Sequence, residues 1–489
     1  PVREAVADPD PVEISASPGI EPGPGGHFYL QYIDLRHINP TFHAPNAINL
    51  YYGFDPADPA LPDALAYTFD YSVFTPTPDL CDGKVPERLP VMIFLHGARS
   101  NRYSTPKNYI YPYCAYGVYP VDETETWYFG FAQRHDYRKD GPFAADDMVE
   151  NYTEQRLLRM VYDLMRKPPG PPVDKQRVYL FGHSMGGTGS LAFAERYPNV
   201  FAAIYSGQPV TNFRETPGVT EPWPAILAVK WGPQALNLPI AIFAPHHWAD
   251  RLKKYNGRGV YDWENLTSAF NTAADPGRAA DEMVPFGIDH GTADDSVQFP
   301  SQGQPLYPLL NASPRAWAGA ISDKKHEWSV FGWPLADFAM LNKIPFWGFS
   351  VIRDETVPGF SHLSGNETSA PTAPTTYNQT VLWSASWNAW DGAPIDTATR
   401  WRMSFCAVAA GSQDCNQPGA APVTVDITPR RLQHFKVTPG AQYFWQVHAL
   451  ENGQLVARGT LTASADGLLT IPAVAISPAG VRLEIQPKK

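Results

Sequence analysis

Gly182-His183-Ser184-Met185-Gly186 sets one hydroxyl between two glycines. Before it runs the apolar stretch Arg177-Val178-Tyr179-Leu180-Phe181; after it, Gly187-Thr188-Gly189-Ser190-Leu191-Ala192-Phe193-Ala194-Glu195-Arg196 reads as a helix. A G-x-S-x-G pattern between strand and helix is a nucleophile elbow. The turn is too sharp for side chains at its flanks. It lifts the serine oxygen above the sheet edge and aims the next helix's N-terminus at a reacting carbonyl. A small-residue turn without chemistry has the same pentapeptide, so the flanking strand and helix carry the specificity.

A serine hydroxyl is a poor nucleophile at neutral pH. It needs a base, a group to orient that base, and donors for an oxyanion. The expected base is His326, on the loop Ser322-Asp323-Lys324-Lys325-His326-Glu327-Trp328 after a predicted strand at 316–321. His290, His246 and His247 are its rivals, and His362 lies close to a linker. The acid is expected after a predicted strand at 283–288, in His290-Gly291-Thr292-Ala293-Asp294-Asp295-Ser296-Val297. Asp294 and Asp295 compete there, with Asp289 as an outsider. The oxyanion donors are expected to be the Met185 N–H and that of Ala98 or Arg99, in His96-Gly97-Ala98-Arg99 behind the apolar run 90–95. His96 is expected to pack this loop and not to act as base. Gly97 is expected to allow a loop geometry that a side chain would block.

The elements that position these groups follow from periodicity. Residues 64–74 alternate as a strand, and Pro90-Val91-Met92-Ile93-Phe94-Leu95 is continuously apolar, as in a strand buried on both faces. Trp127 to Phe131 reads as another strand. Asn151 is placed to cap a helix with Glu154 reaching back, and Leu157, Leu158, Val161, Leu164 and Met165 share one helical face until Pro168-Pro169 stops it. Strand, helix, strand, elbow, helix is the rhythm of a parallel sheet with crossover helices. Residues 201–205 continue it.

The stretch at about 208–282 interrupts the rhythm and is rich in aromatics, among them Trp223, Trp231 and Trp248. It reads as a lid-like insert whose tryptophans line a substrate site, or as an excursion with its own small core. Residues 1–60, rich in Pro, Gly and Asp, read as an extended arm. A catalytic domain over 1–365 is followed by a linker at 366–378, around Ser369-Ala370-Pro371-Thr372-Ala373-Pro374. Over 379–489 short alternating segments replace helical periodicity, with hairpin-type turns at Asn452-Gly453 and Asp466-Gly467, which predicts an antiparallel β-sandwich. Trp383, Trp387, Trp390, Trp401 and Trp445 there suit either a polymer-binding platform or aromatic core.

A chain of 489 residues with 44% hydrophobic and 18% charged residues is globular and long enough for two domains. Its formal net charge of -11 disfavours nucleic acid as a partner. No apolar run of about 18 residues predicts a membrane span. The chain opens Pro1-Val2-Arg3-Glu4 without an initiator Met, as a mature form whose leader was removed, or a trimmed piece, would. Cys406 and Cys415 form a close pair among four cysteines (with Cys81 and Cys114), which fits a hairpin disulfide and a secreted or periplasmic protein. A zinc site at His246-His247 lacks further ligands beyond Asp250, so no metal and no cofactor is expected.

The chain order of oxyanion loop, serine, aspartate and histidine resembles the α/β-hydrolase superfamily over roughly residues 60 to 362. His96-Gly97 after a strand, Gly-His-Ser-Met-Gly at the elbow and His-Gly-Thr-x-Asp-x-x-Val at 290–297 all recur in that superfamily. In the last motif the first aspartate, three before the valine, is the usual triad acid, so the resemblance implies Asp294. It also implies a mostly parallel sheet flanked by helices. Within the superfamily the chain looks most like secreted esterases, feruloyl-esterase-like and polyhydroxyalkanoate-depolymerase-like enzymes, and prolyl-oligopeptidase-like catalytic domains. It departs from the last in having no propeller ahead of the catalytic part, and from all in the 208–282 insert and the C-terminal strands. The expected activity is hydrolysis of aromatic, polyester or carbohydrate esters through an acyl-enzyme. A serine peptidase and a catalytically inactive binding protein are the alternatives.

Overall fold

The computed structural model describes residues 12–14, 25–34, 66–98, 114–122, 125–133, 143–243, 247–327, 350–386, 388–410, 412, 414–415 and 419–488. The chain divides into two compact units. The first comprises Pro1–Ala192, Val210–Asn265 and Phe338–Leu341; the second, Phe193–Pro209, Leu266–Asp337 and Asn342–Lys489.

In the first unit a mixed sheet runs in the order Val12–Ile14, Gly26–Asp34, Ala66–Phe74, Tyr116–Pro120, Leu89–Leu95, Val173–His183. The first four strands pair antiparallel, and Leu89–Leu95 pairs parallel to both of its neighbours. Leu89–Leu95 is apolar throughout and buried at all but one position, as a strand covered on both faces must be. The strand Gly26–Asp34 lies inside the stretch expected as an extended arm. The helix Tyr152–Arg166 buries Leu157, Leu158, Val161 and Leu164 as its periodicity requires. The reciprocal cap expected at its start is not made: the Asn151 N–H donates to the Ala241 carbonyl, and Glu154 instead accepts from the Asn151 side-chain amide at 3.0 Å. The strand expected from Trp127 to Phe131 is also corrected. Residues 127–129 form a turn with Trp127 at φ 56° and Tyr128 at φ 63°, and only Phe131–Ala132 is extended.

Residues of the 208–282 stretch that belong to this unit build an aromatic core together with Trp127 and Phe129. Trp231 meets Phe129, Phe213 and Tyr261 edge-on, and Trp127 meets Phe213 and Trp223 in the same way. Such edge-to-face pairs add to the burial of large apolar surfaces. The Cys81–Cys114 disulfide also lies in the first unit.

In the second unit Ala203–Gly207, Phe286–Gly291 and Trp317–Ser322 run parallel, and Thr375–Tyr377 adds antiparallel to Trp317–Ser322. That last strand falls within the stretch expected as a linker. Beyond it are two antiparallel sheets: Val357–Ser361 with Val423–Arg430 and Ile471–Ile476, and Val381–Trp383 with Arg400–Ala407, Val481–Pro487, Gln442–Ala449 and Leu455–Thr462. The first of these sheets begins at Val357, upstream of residue 366. Asn452-Gly453 closes a hairpin as expected, whereas Asp466-Gly467 stands where the chain passes from one sheet to the other. Trp445 lies over Gly459, its cross-strand partner, and shields backbone that has no side chain of its own. The Cys406–Cys415 disulfide closes a nine-residue separation.

Candidate active site

Ser184 sits between the strand Val173–His183 and the helix Met185–Arg196, with φ 58°. A non-glycine residue in this left-handed region is strained, and such strain concentrates at functional sites. The flanking glycines are required by close approach. A Cβ on Gly182 would lie 2.0 Å from the Gly186 oxygen, and one on Gly186 would lie 2.1 Å from the Leu95 oxygen. Gly189, one turn into the helix, likewise leaves room for the Tyr128 ring, which a Cβ would meet at 2.7 Å. The serine is itself mostly covered, at 6% exposure.

Gly97 stands over Ser184: a Cβ there would be 3.5 Å from the Ser184 Cβ and 4.0 Å from its Oγ. These are ordinary contact distances. The expectation that loop geometry excludes a side chain at 97 is therefore not met; a methyl would instead occupy the space beside the hydroxyl. His96 packs the loop. Its Nε2 accepts from the Asp122 N–H at 2.8 Å, so its Nδ1 carries the proton and meets the Gly97 carbonyl at 2.8 Å. Burial holds the imidazole pKa below its ordinary value, which suits this neutral tautomer. Ala98 follows in a turn, while Arg99 lies outside the described residues. Met185 opens the helix and is fully buried.

In the second unit His326 Nδ1 lies 2.6 Å from Asp294 Oδ2. The other carboxylate oxygen of Asp294 accepts from the Ser296 and Val297 N–H groups at 2.8 and 2.9 Å. The Asp294 side chain is 1% exposed and that of His326 21%. Asp295 points to solvent, and Asp289 is buried in the strand Phe286–Gly291. The loops bearing the pair are pressed together. A Cβ on Gly291 would stand 2.3 Å from the Lys324 carbonyl, which also accepts the Ala293 N–H, and Thr292 N–H reaches Ser322.

The rival histidines have other places. His290 is buried, with Nε2 3.2 Å from the Pro209 carbonyl and Nδ1 3.3 Å from the Tyr307 hydroxyl, and burial lowers its pKa to about 4. His247 is exposed and pairs with Asp250, His362 pairs with Asp426, and His246 lies outside the described residues. Of the three tryptophans expected to line a substrate site, Trp231 has no exposed surface and donates from Nε1 to the Gly130 carbonyl at 2.8 Å. Trp223 is buried against Trp127. Trp248, edge-on to Tyr162, keeps part of its surface. Sequence reasoning passed over Gln208, a buried residue at φ 47° whose side chain reaches the histidine loop.

Comparison with known proteins adds three findings. Residues 76–256 match the Esterase family. Among solved structures, the chain is similar to an S-formylglutathione hydrolase from Agrobacterium tumefaciens, with a TM-score of 0.38 and 14% identity over 70% of this chain and 98% of that one. It is similar to a ferulic acid esterase with a TM-score of 0.33 and 17% identity, over 53% and 86% of the two chains, and to esterase B of Lactobacillus rhamnosis with a TM-score of 0.35 and 14% identity, over 66% and 87%. No curated protein matches the chain. The match to the Esterase family over residues 76–256 supports carboxylic ester hydrolysis as the activity of this chain.

Proposed function

We propose that the ester is cleaved through an acyl-enzyme on Ser184, with His326 as general base and Asp294 as its orienting acid. The observation that carries this reading is the 2.6 Å contact between His326 Nδ1 and a buried Asp294 carboxylate. A carboxylate on Nδ1 fixes the tautomer in which Nε2 accepts a proton, and it stabilises the imidazolium that forms. The strained backbone of Ser184 is the second support.

In the proposed cycle His326 takes the hydroxyl proton as Ser184 Oγ bonds to the ester carbonyl carbon. The amide N–H groups of Met185 and of Ala98 or Arg99 stabilise the oxyanion. His326 returns its proton to the departing alcohol. Water, deprotonated by the same imidazole, then releases the carboxylic acid and regenerates Ser184. Besides the ester, these steps use the chain's own side chains and amides and one water.

Aromatic, polyester or carbohydrate esters are the proposed substrate class. The support is the aromatic content of 208–282, of which Trp248 retains exposed surface. Secretion, or export to a periplasm, is supported by the disulfides Cys81–Cys114 and Cys406–Cys415. No helix among the described residues is long and apolar enough to cross a membrane. The C-terminal strands are proposed to pack as a sandwich, supported by Phe360 of one sheet meeting Trp383 and Phe405 of the other.

The test is a panel of p-nitrophenyl acyl esters, methyl ferulate, acetylated sugars and a polyester film. Ser184→Ala should lower kcat by at least about three orders of magnitude and abolish labelling by a fluorophosphonate. A Ser184→Ala enzyme that kept most of its esterase activity would sink the proposal.

A further inference from the structure

Gln208 follows directly on the strand Ala203–Gly207 and is fully buried. Its backbone has φ 47°, a region that residues with a Cβ occupy only under constraint. Its N–H donates to the Asp289 carbonyl at 2.9 Å, which ties it to the strand that leads into the Asp294 loop. Its side-chain amide donates twice, to the Lys325 carbonyl at 3.0 Å and to the Glu327 carbonyl at 2.8 Å. Those carbonyls stand immediately before and after His326. The amide oxygen of Gln208 is buried with no hydrogen-bond partner among the described residues.

Two costs are therefore carried at one residue: a left-handed backbone and an unsatisfied buried acceptor. Both serve a single geometry, in which the Nε2 reaches across 117 and 119 residues of sequence to bracket one histidine. The acid loop secures the same segment from another side, through Ala293 N–H on the Lys324 carbonyl. Held at 324, 325 and 327, the backbone at 326 has little freedom left.

We propose that Gln208 is a positioning residue for His326: its two hydrogen bonds fix the histidine's backbone so that the imidazole meets Asp294 in one orientation. This inference rests on His326 being the general base. A base displaced by about 1 Å costs on the order of a hundredfold in rate while substrate binding is little changed.

The experiment measures kcat, KM and thermal midpoint for Gln208→Met, which keeps the length and loses both donors, in the wild-type and His326→Ala backgrounds. The expected result is a kcat lower by about tenfold to a hundredfold, with KM within about twofold and no further loss once His326 is gone. An equal loss in both backgrounds, or an unchanged kcat, overturns the proposal. Gln208→Gly, which relieves the left-handed backbone while deleting the clamp, is the second variant: a folded enzyme with low kcat supports the positioning role, and a folded enzyme with full kcat removes it. If His326→Ala itself kept wild-type activity, the assignment of the base would fail first, and that outcome is distinct from the other two.

Discussion

Ser184 stands on backbone so closely packed that a methyl group on Gly182 or Gly186 would overlap a carbonyl oxygen. His326 stands on a loop that accepts hydrogen bonds from Gln208 and Ala293, and its imidazole meets the Asp294 carboxylate. Steric exclusion tolerates no substitution and fixes a position through backbone alone, Gly182 against Gly186 and Gly186 against Leu95. Hydrogen bonds tolerate substitution, and each one removed loosens the position by a step. The place of Ser184 is thus coupled to folding, while the place of His326, the proposed base, is expected to be coupled to activity.

The sharpest way to break this contrast is at the elbow. Gly186→Ala places a Cβ against the Leu95 backbone, which no side-chain rotation relieves. It should abolish soluble folded protein, measured by expression yield and circular dichroism; a folded, active Gly186→Ala enzyme would refute the steric half of the comparison. Asp294→Asn comes next. It keeps an acceptor for the Ser296 and Val297 amides but reverses the preferred imidazole tautomer. Its kcat should fall by about three to four orders of magnitude with the thermal midpoint nearly unchanged.

A third test separates His290 from His326. Burial holds the His290 pKa at about 4, against about 6.5 in an unfolded chain. As pH falls, the unfolded chain takes up this proton first, so stability present above pH 6.5 is lost on the way to pH 4, by at most about 3 kcal/mol. Urea midpoints at pH 7 and 4.5 should show this loss in the wild type and a smaller one in His290→Asn. Equal losses in the two proteins would assign the acid sensitivity elsewhere. The smallest effect is expected at Asp295, which is exposed: Asp295→Asn should change kcat/KM by less than about twofold.

What could be read from the sequence follows the same division. The elbow is legible because its constraint is local: glycines, serine, strand and helix are contiguous. The pairing of Asp294 with His326 spans 32 residues, and composition alone left Asp294 and Asp295 open; the spacing shared with a known superfamily selected between them. Gln208 was illegible because its signal is a backbone angle and a contact more than a hundred residues away. Trp223 and Trp231 illustrate another limit. An indole in a core and an indole in a binding site look alike in sequence, and both of these are buried among other rings. The arm at 1–60 hid the strand Gly26–Asp34 because Pro and Gly around it obscured its pairing with Val12–Ile14 and with the more distant Ala66–Phe74.

Thr375–Tyr377, three residues in a proline-rich stretch, bears on how the protein can be cut. It pairs with one side of Trp317–Ser322, and Tyr377 stacks on Tyr307 at 4.9 Å. A truncation near residue 366 would strip that cover and leave a row of unpaired amides and carbonyls beside an apolar surface, the template on which polypeptides associate into aggregates. A shortened enzyme meant for use without its C-terminal sheets should therefore retain the chain through Asn378, whose side chain also bonds to the Trp317 carbonyl, or replace its exposed rim with charge.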